Sequence, residues 1–207
     1  MEYRTAKYAT TGVPDVLMSG GKVQGQRIGS MIAAVFGLLF VLLNTGALPP
    51  AAAWTLRALA AAAFVAVLIA VLRVGAPGRV SVGGAPAAGR SPFGRAYWVV
   101  VAAEVVALFG GVRLLTGPLG HPDGGVAWVS FVVGVHFFAL AAVFQAPFFN
   151  WLGAAVTACG VAGLILVFAG AAQAWIDVIG GVIPGALLLA FGWWGASGTH
   201  RQQLPAR

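Results

Sequence analysis

Residues 96–111 read Ala96-Tyr97-Trp98-Val99-Val100-Val101-Ala102-Ala103-Glu104-Val105-Val106-Ala107-Leu108-Phe109-Gly110-Gly111, an apolar run broken by one carboxylate. Continued to position 116, the run is long enough to cross a hydrocarbon core of about 30 Å as a helix, which needs about 20 residues. Five further runs of that kind lie near 28–48, 51–73, 126–145, 148–169 and 174–195. Each is continuously apolar and lacks the alternation of a membrane β-strand, so helices are expected. The predicted fold is all-α: a polytopic, six-helix transmembrane bundle. Composition agrees, with 60% hydrophobic and 8% charged residues against about 25% charged in a soluble domain. The spans leave no room for a folded soluble domain, so any site sits within the bundle or at its edge. The lipid bilayer is the first expected partner.

The net charge of +7 is a topology signal. Arg4, Lys7, Lys22 and Arg27 precede the first span, Arg73, Arg79, Arg90 and Arg95 lie between the second and third, and Arg201 and Arg207 follow the last. With six crossings these segments share one side, which the positive-inside rule makes the cytoplasm. Both termini are therefore expected inside, in a plasma-membrane protein. Arg57 and Arg113 fall near outer helix ends, where long side chains reach the interface. Nucleic acid is not an expected partner. Trp54, Trp128 and Trp175 at the outer ends, with Trp98, Trp151, Trp193 and Trp194 at the inner ends, read as aromatic belts.

Around the transmembrane domain at 28–195, residues 1–27 and 196–207 read as cytoplasmic tails and 74–95 as a basic, Gly- and Pro-rich cytoplasmic linker. A cleavable leader competes for the first span, but that run has full spanning length. Outer connections are short, and no convincing inverted repeat joins the two halves. Small residues recur every four positions at Ala103, Ala107 and Gly111, at Ser130 and Gly134, and at Ala155, Cys159 and Gly163. Such ridges let helix backbones approach closely, within one bundle or in a homo-oligomer.

Glu104 is the only acid deep inside a span, where a charge costs roughly 2.5–3.5 kcal/mol and usually has a partner. The turn-rich run Gly117 to Gly125 makes the third and fourth helices antiparallel neighbours. Glu104 lies twelve residues before position 116 and His136 ten after 126, a depth difference of about 3 Å at 1.5 Å per residue. The two can meet, and a Glu facing a His can share one proton and titrate as a unit. The plain alternative is a bond joining two helices, for which the average return is about 0.6 kcal/mol.

The last span, Trp175-Ile176-Asp177-Val178-Ile179-Gly180-Gly181-Val182-Ile183-Pro184, carries a proline halfway across. Proline removes one backbone bond, frees the Gly180 carbonyl and, beside glycines, permits a kink. Broken helices at membrane depth commonly line a cavity, so Gly180, Gly181 and Pro184 are candidate substrate-binding positions. Asp177, Arg113 and Arg57, with His121 and Asp123, supply polar groups at the outer end. Gln145 and Asn150 flank a tight inner hairpin.

Metal, haem, nucleotide and hydrolase signatures are absent from the sequence, and Cys159 stands alone, so no cofactor or metal is expected. Three functional classes follow. The leading one is a proton-linked transporter or permeation protein for a small molecule or ion, using Glu104 and His136. The second is a membrane-embedded enzyme on a lipophilic isoprenoid or lipid substrate, such as a cyclase, with Glu104 as general acid and Phe131, Phe137, Phe138 and Phe144 lining its pocket. The third is a structural subunit of a membrane complex. The space around Glu104 discriminates among them.

Overall fold

The computed structural model describes residues 16–74, 95–144 and 148–201. Residues 1–15, 75–94, 145–147 and 202–207, with the expected N-terminal tail, most of the expected linker and Gln145, lie outside that set. Among the described residues all regular structure is helical: α1 (Val16–Leu43), α2 (Pro50–Val74), α3 (Arg95–Thr116), a 3-10 turn (Pro122–Gly124), α4 (Gly125–Phe144), α5 (Phe148–Phe168), α6 (Gln173–Asp177), a π-helical turn (Val178–Val182) and α7 (Ile183–Arg201). The last three run on as one crossing.

Five segments are long and apolar enough to cross a membrane: Pro50–Arg73, Trp98–Thr116, Pro122–Ala142, Phe148–Phe168 and Gln173–Ser197. They mark the chain as a multi-pass membrane protein. In α1 the apolar portion is the shorter Gly29–Leu43, and the helix begins at Val16 rather than near 28.

Local chemistry sets the helix ends. The Asn44 side-chain amide donates to the Phe40 carbonyl at 2.7 Å, closing α1, and Pro50 opens α2 at a position where the missing N–H has no helical partner anyway. Arg57 Nε donates to the fully buried Thr45 hydroxyl oxygen at 2.8 Å, clasping the α1–α2 turn. At the end of α5, Gly170 takes φ 68°. Its N–H bonds to the Val167 carbonyl and that of Ala171 to Leu166, both at 3.0 Å. This pattern satisfies carbonyls that the helix end would leave open, and the left-handed residue in it is usually glycine.

Glycine contacts define the packing. Gly134 on α4 lies against Thr157, Gly160 against the backbone of Phe131, and Gly163 against Ala127, so α4 and α5 are antiparallel with backbones nearly touching. The contact face of α5 is Leu152, Gly153, Val156, Gly160, Gly163 and Val167. Of the expected ridge of Ala155, Cys159 and Gly163, Gly163 lies on this face, while Ala155 and Cys159 are half-buried beside it. A second glycine seam joins α1 to α7. A Cβ built on Gly37 would stand 2.7 Å from the Gly185 carbonyl oxygen, and one on Gly185 2.8 Å from that of Gly37. Ser30 lies beside Gly192, and Asn44 beside Gly181, so α1 and α7 are antiparallel too. In lipid, where apolar burial gains little, such close contact supplies the association energy.

Two buried clusters follow these seams. Ala34, Val41, Ala60, Val67, Val71, Val182, Leu189 and Ala196 join α1, α2 and the last crossing. Phe40, Leu152, Val156 and Leu188 join α1, α5 and α7. α2 and α3 are peripheral: α2 packs on α1 and α7, and α3 on α4 and the 3-10 turn.

Candidate functional site

α3 presents one face to α4. Glu104, Ala107, Leu108, Gly111 and Leu115 fall on it at helical spacing and are buried or half-buried, while Val99, Val106 and Phe109 on other faces are exposed. Trp128 secures this docking. Its indole Nε1 donates to the Ala107 carbonyl at 2.9 Å, and its ring occupies the space where Gly111 has no side chain. Trp128 is half-buried, and its polar edge finds a backbone acceptor on the neighbouring helix, as an indole withdrawn from water requires. Trp54, Trp98, Trp151, Trp175, Trp193 and Trp194 are exposed.

Three residues back along α3 from Ala107 and eight on along α4 from Trp128, the same seam brings Glu104 and His136 together. His136 Nδ1 stands 3.1 Å from Glu104 Oε2. The separation suits an ion pair, but the approach lies off the N–H direction and Nδ1 makes no aligned hydrogen bond. The contact is one of charge and proton proximity. The side chains keep 15% and 20% of their surface open, for His136 and Glu104 respectively. Beside the imidazole is the Phe137 ring, edge-on at 6.2 Å, which itself stacks on Phe149. Neither group sits in the middle of the bundle; both lie in the seam between the peripheral α3 and α4.

The last crossing contains a second irregularity. The Ile183 N–H reaches the Val178 carbonyl, five residues back, so the helix widens into a π turn just before Pro184. Ser130, fully buried on α4, donates its hydroxyl to the Gly180 carbonyl that Pro184 cannot serve. Gly180 is able to come this close because a Cβ on it would stand 3.1 Å from the Ala127 Cα. Gly181 is filled by Asn44 from α1, so these glycines are packing points between helices.

Arg57, Asp177 and His121 are each held by their own neighbours. Arg57 is bound to Thr45, with its guanidinium 5.5 Å from the Trp54 ring centre. Asp177, buried, accepts from Gln173 Nε2 at 2.7 Å, and His121 rests edge-on against Phe168 at 4.9 Å. Arg113 and Asp123 are exposed. Among the described residues no group of three His, Cys, Asp or Glu side chains is arranged to hold a metal.

An apolar groove of about 460 Å³ lies on the other side of the bundle, lined by Val41, Leu59, Ala63, Val182, Ala186 and Trp193 among others, with no residue of α3 or α4 in its wall. Phe131 tilts against Trp128 and Phe137 against Phe149, so these two rings pack the α3–α4–α5 layer.

Sequence reasoning treated Ser130 only as a small packing residue and Trp128 only as an interfacial one. A signal for Ser130 existed. It and Gly180 lie four and six residues into spans that start on the same outer side, within about 3 Å of depth, and a freed carbonyl in lipid demands a donor. No protein-family model, curated protein or solved structure matches this chain.

Proposed function

We propose that the chain is a proton-linked membrane transporter or permeation protein in which Glu104 and His136 hold and pass a proton near the middle of the bilayer. The observation that carries this reading is the 3.1 Å approach of the two groups at matched depth on neighbouring helices. The pair has two forms of equal composition: carboxylate with imidazolium, and carboxylic acid with neutral imidazole. The proton moves between Glu104 Oε2 and His136 Nδ1, so loading or removing one proton changes the charge of the pair as a unit. Two bundle arrangements that hold the pair differently are then populated differently as its charge changes.

The reading includes six crossings. α1 runs antiparallel to α7 along most of its apolar length, as the first and last of six crossings must, which leaves both termini on one side. Ten of the twelve basic residues then share that side, the cytoplasmic face of a plasma membrane. The broken crossing around Gly180, Gly181 and Pro184 serves as the mobile element beside the transported solute, with Asp177, Arg113 and Arg57 towards its outer end. The solute is a small molecule or ion.

The test is reconstitution in sealed vesicles carrying an imposed pH gradient and an entrapped pH-sensitive dye, challenged with inorganic cations, amino acids, sugars and organic cations. A solute-dependent proton flux that a protonophore collapses is expected. Solute entry unaffected by the gradient would contradict the reading.

A lipophilic-substrate enzyme with Glu104 as general acid is the second reading, and the apolar groove described above is walled by helices other than those that carry Glu104 and His136. A subunit role has one observation in its favour. Among the described residues α3 packs mainly on α4, with Val99, Val106 and Phe109 exposed, a face that a companion chain or second copy can cover.

A further inference from the structure

The π turn and its partner on α4 form a joint between the two irregular features of the bundle. Pro184 has no N–H, so a regular helix there leaves the Gly180 carbonyl without its donor. In hydrocarbon that carbonyl has no water to turn to. Ser130 supplies the missing donor from a neighbouring helix, and its own burial is complete. The approach is built by three small residues on three helices: a Cβ on Gly163 would lie 2.8 Å from the Ala127 Cβ and 3.3 Å from the Gly180 Cα. Only with Gly at 163 and 180 do α4, α5 and the last crossing come near enough for a serine to reach across. Serine also has a second acceptor within its own helix, the carbonyl four residues back, which gives the hydroxyl two discrete positions.

We propose that Ser130 is a positioning residue that holds the last crossing in its π-helical form, and that the Ser130–Gly180 bond is the joint through which movement of α4 reaches the hinge at Pro184. α4 carries His136 six residues beyond Ser130, so a displacement of the Glu104–His136 seam is carried along a rigid helix to the hinge. This second half rests on the proton-linked reading above; the first half stands without it.

Amide hydrogen exchange on the full chain in lipid nanodiscs tests both halves with no solute present. In Ser130→Ala the amides of residues 181–186 are expected to exchange about tenfold faster, and the thermal midpoint to fall by roughly 5 °C, from the loss of one buried hydrogen bond. Pro184→Ala restores a backbone N–H that can serve the Gly180 carbonyl. In that background Ser130→Ala is expected to change exchange by less than about threefold, a rescue that simple loss of packing at Ser130 would not give. An unchanged exchange pattern in Ser130→Ala, or the full effect persisting beside Pro184→Ala, overturns the joint. If Ser130→Ala does not fold, the double variant decides: folding supports the joint, and failure overturns it. His136→Ala is expected to alter exchange at 181–186 by about threefold or more, and no change there overturns the coupling to α4 while leaving the Ser130 role intact.

Discussion

Glu104→Gln is expected to abolish pH-dependent solute uptake in reconstituted vesicles while leaving the protein folded. Glutamine keeps the shape and one carbonyl oxygen of the side chain, so it can stay beside His136 at the α3–α4 seam. It cannot bind or release a proton near neutral pH. The docking of α3 does not depend on the carboxylate alone, because Trp128 holds the Ala107 carbonyl and fills the space over Gly111. Uptake should therefore fall to the level of empty vesicles, with helix content and elution volume unchanged. Uptake that keeps its pH dependence would take the pair out of the mechanism. Loss of the folded protein would assign Glu104 to helix docking instead.

Gly160→Val is expected to have the largest effect on stability. A Cβ at position 160 would stand 2.6 Å from the Phe131 Cα, and backbone cannot rotate away as a side chain can. The α4–α5 seam would have to open along its length, separating Gly134 from Thr157 and Gly163 from Ala127 as well. Overpacking of a side chain into a core typically costs about 1–3 kcal/mol, and a clash with backbone at a helix crossing belongs at or above the top of that range. Thermal unfolding in detergent, followed by size-exclusion chromatography, should show the variant aggregated or melting roughly 10 °C lower. A matched control is Gly110→Val, where a Cβ meets nothing within 4 Å and the midpoint should hardly move. Equal stability of the two variants would contradict the packing described.

The five helices of spanning length were legible because continuous apolar length is a direct consequence of bilayer thickness, and it needs no knowledge of tertiary structure. The meeting of Glu104 and His136 was legible for a related reason: a short turn between two straight helices fixes relative depth, and depth alone put both groups at one level. Rotation about each helix axis was not fixed by those arguments. Every face of these helices is apolar, so hydrophobicity does not say which one turns inward. For that reason the small-residue spacing on α5 points to Gly163 but not to Gly153 and Gly160, which share the contact, and nothing in the sequence turns the Trp128 indole towards α3. The Gly37–Gly185 seam is not legible because it joins α1 to α7, helices far apart in the chain whose adjacency no turn dictates. Pro184 was different. A missing N–H names the carbonyl it abandons, Gly180, and only the identity of the rescuing donor, Ser130, waited for the structure.

The proposed exchange of a proton between Glu104 and His136 inside the membrane has a direct spectroscopic readout. Infrared difference spectroscopy of the protein in lipid, stepped across the pH range, reads the carboxyl group directly. One protonated-carboxyl component that appears and disappears with pH is expected, missing from Glu104→Gln and titrating at a displaced pH in His136→Ala. A carboxyl band that persists unchanged in Glu104→Gln, or a Glu104 signal that stays constant at every pH, would contradict it.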